Sequence, residues 1–253
     1  MTQLIYAIII GISVGAMSGY LGSMMLTKRM ALVGGPLGHL ALPGISFALL
    51  YNFDVSLGAL LFISFGTTII WLLEKYTKLP VDALSALVFA STMAVSFLFL
   101  DRSKTVKALF GDISKLNVKT AVIIAVVSLV IIIVTKFLIP KMVLISISPS
   151  LAQTTKINTN LYQFIFMFCV AVTISLGVRI VGGLMTAALV AVPACTARNL
   201  CRTLKSYTVI SLIAGLLSCA TGVVAFFVTG LPVGPMIIIS STVLFLVSLV
   251  FKR

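Results

Sequence analysis

The feature that most constrains this chain is a series of long apolar stretches that contain no charged residues. Hydrophobic residues make up 60% of the chain and charged residues only 9%, whereas soluble domains average about 25% charged residues. A helix needs about 20 apolar residues to cross a bilayer, and several stretches approach or exceed that length. The sequence therefore predicts an all-α membrane protein that crosses the bilayer several times. An outer-membrane barrel would show short alternating segments instead.

We expect a single transmembrane domain over residues 1–253, with about eight or nine transmembrane helices. The second apolar segment is short for a span, so it is tilted, extended by its flanking glycines or partly re-entrant. Only Arg179 separates the sixth segment from the seventh, which indicates a broken helix there. The predicted segments are at about residues 4–26, 37–51, 55–73, 81–100, 118–138, 161–178, 180–197, 207–228 and 233–251.

The distribution of basic residues predicts the orientation. The net charge of +13 comes mainly from loops between apolar segments, where basic residues set topology and attract anionic lipid rather than nucleic acid. If nine spans alternate, the positive-inside rule places the N-terminus outside and the C-terminus in the cytoplasm. The loop at residues 101–119 disagrees, because it is basic yet would lie outside. The loops that agree contain Lys28 and Arg29, Lys75 and Lys78, residues 136–156, residues 198–205, and Lys252 and Arg253.

Small residues recur at every fourth position in two of the segments. This spacing puts them on one stripe of a helix and lets a neighbouring helix approach closely. None of the four cysteines forms a CxxC pair, so we interpret them as reduced, packed thiols rather than as a disulfide or a zinc site. The two stripes are Gly11, Gly15 and Gly19, and Gly183, Ala187, Ala191 and Cys195.

Missing motifs exclude several classes of function. No GxxxxGK[ST] phosphate loop is present, so we do not expect this chain to hydrolyse ATP. The five acidic residues all fall in loops or near segment ends, whereas a proton- or sodium-coupled carrier usually buries a carboxylate near the midplane. These absences favour a transport protein that takes its energy from another protein, or a passive pore, over a membrane enzyme or an assembly factor.

Four motifs in order along the chain resemble permease subunits of metal-type ABC importers. The first extends from Lys28 and Arg29 to "LGHLALPGI", which begins at Leu37. The second is "ALFGDI" at residues 108–113, and the third is "VRIVGGLMTAALVAVPACTAR" at residues 178–198. The last is "GLPVGPMIII" at residues 230–239. Each motif is weak alone, but the ordered set covers nearly the whole chain.

The resemblance implies a helical bundle similar to the type II ABC importers and a role as a transport subunit rather than an enzyme. It implies a separate ATP-binding subunit on the cytoplasmic side, an external metal-binding protein, and a channel formed by two such subunits, usually as a homodimer or a close pair. Zinc or manganese would be the substrate, no cofactor would be bound permanently, and the location would be the plasma (inner) membrane of a prokaryote. The alternative is a metal carrier or channel that needs no ATPase.

The resemblance also singles out His39, the one histidine of the chain, as a metal ligand on the transport path. Relatives have an aspartate four residues earlier, and that spacing puts both side chains on one helical face. Gly35 occupies that position here. A site of neutral imidazoles would favour zinc over manganese, which prefers oxygen ligands. The alternative is that His39 only donates a hydrogen bond to a carbonyl between helices.

The residues around His39 form a second candidate set. The glycines and prolines there suggest a kinked segment whose carbonyls line the transport path. The alternative is that they only form a loop between helices. The path-lining candidates are Gly34, Gly35, Pro36, Gly38 and Pro43.

A basic stretch between the seventh and eighth segments is the candidate for coupling to the ATPase. Arg198, Arg202 and Lys205 recur at spacings of four and three residues, which predicts one face of a helix. The resemblance implies that this stretch contacts the ATPase. The alternative is that its basic residues only determine the membrane topology. We expect Arg179 to snorkel to lipid headgroups outside.

Overall fold

A computed structural model describes residues 2–28, 30, 33–51, 53–99, 117–147, 155, 158–183 and 185–251. The elements within these ranges are all α-helices, so the predicted all-α fold class is confirmed. In chain order they are α1 (Thr2–Thr27), α2 (Gly34–Leu50), α3 (Val55–Thr77), α4 (Val81–Phe99), α5 (Val118–Ile147), α6 (Thr159–Val181), α7 (Thr186–Leu200), α8 (Leu204–Thr229) and α9 (Val233–Val250).

Six of these helices are long and apolar enough to cross a bilayer: α1, α3, α5, α6, α8 and α9. The helix α2 has 17 residues and α7 has 15, which is short of a span. The expected eight or nine spans are therefore not established by length and composition. The "ALFGDI" motif and almost all of the basic loop at 101–119 lie outside the described residues.

The structure moves two of the predicted boundaries. The short second segment is extended at its start, because α2 begins at Gly34 rather than at Leu37. The break between the sixth and seventh segments is not at Arg179, which lies within α6. The break lies after Val181, where Gly182 ends α6 with a positive φ of 86°, a conformation that glycine adopts without strain.

Side-chain contacts at the two ends of the bundle agree with alternating helix directions. At one end the Lys28 amine donates to Gln163 Oε1 at 3.2 Å, and the Gln163 amide donates to Glu74 Oε1 at 2.8 Å. Lys28 follows α1, Gln163 lies near the start of α6, and Glu74 lies near the end of α3. If successive helices alternate in direction, these three positions fall at the same end of the bundle. At the other end Arg179 of α6 pairs with Asp54 before α3 at 3.3 Å.

The glycine stripe of α1 lies against α8, as its spacing predicts. A Cβ built on Gly15 would overlap the carbonyl oxygen of Gly215, and one built on Gly19 would overlap that of Ser211. The Ser211 hydroxyl donates to the carbonyl of Gly19, so the crossing is also hydrogen-bonded. Close backbone approach of this kind supplies the van der Waals contact that holds helices together in lipid. In the second stripe, Gly183 lies in the turn before α7 instead of in the helix.

Candidate functional site

The helix α2 is surrounded by α3, α4, α6 and α7. His39 is its sixth residue and is half-buried on the side that faces α4. There its ring packs against Phe89, with the ring centroids 5.1 Å apart and the planes 38° apart. The lone histidine therefore lies inside the helical bundle and not in a connecting loop.

One donor atom of His39 lacks a protein partner, and a second loses its usual helical partner. The Nδ1 atom is buried and has no hydrogen-bond partner. Pro43 lies inside α2 four residues later and has no N–H, so the carbonyl of His39 loses its usual helical hydrogen bond. Imidazole nitrogen and carbonyl oxygen both bind divalent metal ions. Pro43 was a path-lining candidate from the sequence. Its spacing of four residues from His39 was the signal that it removes the hydrogen bond to the His39 carbonyl.

The glycines of α2 make the close contacts that hold the helix in place. A Cβ on Gly38 would overlap the hydroxyl of Thr186, the first residue of α7, and one on Gly34 would lie 3.2 Å from the Ala187 Cα. Farther along, Gly44 and Gly58 meet backbone to backbone where α2 crosses α3. Packing against neighbours is a structural role that these glycines fill, and a role of their carbonyls along a path stays a prediction.

Gly35 differs from the other glycines of the site. A Cβ built there would meet only the Cβ of Ala187, at 3.8 Å, which is an ordinary contact. Gly35 and Pro36 are both half-buried in the first turn of α2, and Pro36 loses no helical hydrogen bond at this position. A Cβ at the position one turn before His39 therefore clashes with no neighbouring helix, but Pro36 disfavours helical backbone for a non-glycine residue that precedes it.

Protein ligands for a metal are sparse around His39. Among the described residues there is no group of three or more histidine, cysteine, aspartate or glutamate side chains that could hold an ion. All four cysteines are free thiols, as predicted. Contact of His39 with a metal ion stays a prediction.

The candidate coupling residues do not lie on one helical face, so that part of the sequence interpretation is wrong. Arg198 is in the last turn of α7, Arg202 lies in the bend that follows, and Lys205 is in the first turn of α8. The chain turns there because the Thr203 hydroxyl caps α8 by accepting from the Ser206 N–H at 3.3 Å. The three side chains are exposed around a helix–turn–helix corner.

A cluster that joins the start of α3 to the end of α6 was not predicted from the sequence. Arg179 donates to Asp54 at 3.3 Å and to the Ser56 hydroxyl at 3.1 Å, rather than reaching for lipid headgroups. Ser175 donates to the carbonyl of Ser56 at 3.0 Å. The separation of more than a hundred residues between Asp54 and Arg179 leaves no local signal in the sequence.

The Asp54 carboxylate also caps α3 by accepting from the N–H groups of Ser56 and Leu57. Burial raises the pKa of Asp54, but the Ser56 N–H, the Arg179 guanidinium and the Leu57 N–H together outweigh burial. The pKa of Asp54 is therefore held below its usual value, and the charged form is favoured in the fold.

The fold and the site together define a helical membrane protein with one imidazole donor inside its bundle. The family model described as "ABC 3 transport family" matches residues 1–252. The chain belongs to the ABC 3 transport family.

Curated relatives span nearly the whole chain. The high-affinity zinc uptake system membrane protein ZnuB of Haemophilus influenzae is 28% identical, over 98% of this chain and 96% of its own length. The manganese import system permease protein ScaB of Streptococcus parasanguinis is 24% identical, over 96% of this chain and 88% of its own length.

A solved structure shows the same fold. The structure described as PsaBC from Streptococcus pneumoniae in complex with Fab superposes with a TM-score of 0.83, at 22% identity. The superposition covers 98% of this chain and 91% of that one.

The Asp54 cluster predicts a pH-dependent stability. Because the folded pKa lies below that of an unfolded aspartate, the cluster stabilises the fold above about pH 4 and loses this effect as pH falls through the folded pKa. The apparent melting temperature of the wild type in detergent should exceed that of Asp54→Asn near neutral pH, and the difference should shrink toward about pH 3. In an Arg179→Gln background the difference should be smaller. A difference that is constant with pH would contradict the assignment.

Proposed function

We propose that this chain is the membrane channel subunit of an ATP-driven importer of divalent metal ions, with zinc or manganese as the substrate. The observation that supports this best is the buried, unpartnered Nδ1 of His39 within the helical bundle of a protein of the ABC 3 transport family. The names of ZnuB and ScaB support the substrate class. A separate ATPase would hydrolyse ATP, and an external metal-binding protein would deliver the ion.

His39 would contact the metal during passage. An imidazole without a protein hydrogen bond at Nδ1 can bind a cation without first breaking an internal contact. The carbonyl that Pro43 leaves free would add an oxygen donor on the same residue. A second copy of the chain, expected from the family resemblance, would bring a second His39 to the path and complete a site with few ligands.

Gly35 would tune the choice of metal. With glycine there, the site lacks the carboxylate that the resemblance leads us to expect, so the ligands are imidazole, carbonyl and water. Such a set favours zinc over manganese, because manganese prefers oxygen ligands and zinc accepts imidazole readily.

The corner formed by Arg198, Arg202 and Lys205 would contact the ATPase. Its three exposed cations lie at the ends of α7 and α8. The helix α7 also packs against α2. Closure of the ATPase could thus move α7 and, through the contact of Ala187 with Gly34, shift the helix that holds His39.

Replacement of His39 tests the ligand role. We expect His39→Ala to reduce Zn²⁺ uptake to background in liposomes that contain the ATPase and the binding protein, because the nitrogen donor is lost. Copurification of the ATPase should be unchanged. Phe89→Leu is the matched control, since it removes the ring contact but keeps the imidazole. Wild-type uptake by His39→Ala would refute the assignment, and uptake without any ATPase would favour the alternative of an independent carrier or channel.

Insertion of a carboxylate tests the role of Gly35. The Cβ of Gly35→Asp would meet the neighbouring helices only at Ala187, and the new carboxylate would lie one turn before His39. Any backbone strain before Pro36 is the same in Gly35→Asn. We expect the ratio of Mn²⁺ uptake to Zn²⁺ uptake to rise about tenfold, the effect of about 1.4 kcal/mol of differential binding. Gly35→Asn has the same size without the charge and should leave the ratio near that of the wild type. An equal response to both substitutions would show that size, and not charge, determines the result.

Charge reversal tests the coupling corner. Arg202→Glu should abolish the stimulation of ATP hydrolysis by metal-loaded binding protein, because an ion-pairing contact becomes a repulsive one. Lys119→Glu, an exposed cation at the start of α5 and thus at the opposite end of the bundle, is the control and should keep the stimulation. Retained coupling in Arg202→Glu would exclude this residue from the ATPase interface.

A further inference from the structure

A polar cavity of about 550 Å³ lies where α3 ends, α5 ends and α6 begins. Its lining includes Trp71, Lys75 and Lys78 from the end of α3 and the residue after it, and Asn160 from the first turn of α6. None of these residues belongs to the candidate metal path or to the coupling corner. The cavity is therefore separate from both candidate sites.

The position of the cavity matches the depth of lipid headgroups. The helices α3, α5 and α6 are long and apolar enough to cross a bilayer, and the cavity lies at their common end. This end also includes Lys28 and Lys141, and the positive-inside rule predicts that it faces the cytoplasm.

The lysines of the cavity are available to an anion. No carboxylate of the described chain lies within ion-pair distance of Lys75 or Lys78, and both side chains are exposed. The Lys75 amine lies 5.7 Å from the centroid of the Trp71 ring. The Trp71 ring also packs edge-on against Phe164, with the centroids 5.0 Å apart.

Lys78 has an unusual backbone for a lysine. It caps α3 in the left-handed conformation, with φ 57° and ψ 17°, and its N–H donates to the Glu74 carbonyl at 2.9 Å. Glycine is the residue that adopts this conformation without steric cost. A lysine at this position places a cation at the cavity at the expense of local backbone stability.

The one carboxylate in the lining, Glu74, is balanced within the protein. Both of its oxygens accept from the Gln163 amide, at 2.8 and 3.0 Å, and the Lys28 amine donates to the oxygen of the same amide. Burial lowers the pKa of Lys28 to about 8, while the attraction of Glu74 acts in the opposite direction. Lys28 is thus mainly charged at neutral pH and offsets Glu74, which leaves the cavity positive.

We propose that this cavity binds the phosphate headgroup of an anionic phospholipid of the cytoplasmic leaflet. Basic pockets between helices at this depth recognise such headgroups, and tryptophan is typical of the membrane interface. The rim favours a lipid over a soluble phosphate, because Leu72, Tyr76 and Leu79 beside the cavity are 44%, 75% and 50% exposed and offer apolar surface to acyl chains.

The test is the thermal stability of the purified chain in detergent, titrated with phosphatidylglycerol, with phosphatidylcholine or with inorganic phosphate. Phosphatidylglycerol should raise the apparent melting temperature of the wild type, because a ligand of the folded state stabilises it. Phosphatidylcholine and inorganic phosphate should not. The Lys75→Gln/Lys78→Gln variant should weaken the apparent affinity for phosphatidylglycerol about fivefold for each lysine removed.

Two further variants separate binding from folding. Lys119→Gln/Lys136→Gln removes two exposed cations of α5 outside the cavity and should keep the wild-type affinity. Lys78→Gly relieves the left-handed backbone, so it should be at least as stable as the wild type without lipid and yet respond less to phosphatidylglycerol. An unchanged affinity in the Lys75/Lys78 double variant would overturn the proposal. An equal response of the wild type to inorganic phosphate would overturn the lipid assignment.

Discussion

Direct contact between glycine backbones is the interaction on which this structure depends. Lipid is as apolar as the side chains that face it, so helices in a membrane gain little from hydrophobic burial and rely on close van der Waals packing. The chain meets this requirement where α1 crosses α8 at Gly15 and Gly215, and where α2 crosses α3 at Gly44 and Gly58. Gly38 extends the same kind of contact to the turn before α7. These contacts determine where the shortest helices lie and hence where His39 lies.

Polar atoms in the bundle follow a complementary rule, because in lipid they need partners inside the protein. Most hydroxyls satisfy it by donating to carbonyls one turn earlier, as Thr173 does to Cys169 at 2.8 Å. The His39 Nδ1 is an exception, and it is the one nitrogen among the buried side-chain atoms of the described residues that lack a partner. A buried imidazole nitrogen without a partner is costly, which is the physical reason to connect it with a polar substrate.

The sequence predicted what depends on local periodicity and composition. The apolar runs located the helices, and the four-residue spacing of Gly11, Gly15 and Gly19 predicted a close helix crossing, although not that α8 would be the partner. The ion pair of Asp54 with Arg179 joins distant parts of the chain, so periodicity contained no information about it. The spacing of Arg198, Arg202 and Lys205 was misleading, because a cap at Thr203 ends the helical register between them.

The unequal packing of neighbouring glycines in α2 has an evolutionary consequence. Gly38 is enclosed by the Thr186 side chain and the Gly183 backbone, so almost any substitution there would displace α7. Gly35, less than one turn away, has free space on its Cβ side. Two glycine codons differ from aspartate codons by a single base. An acidic oxygen donor can therefore enter or leave this position in one mutational step, and local backbone strain before Pro36, rather than contact with another helix, opposes its entry.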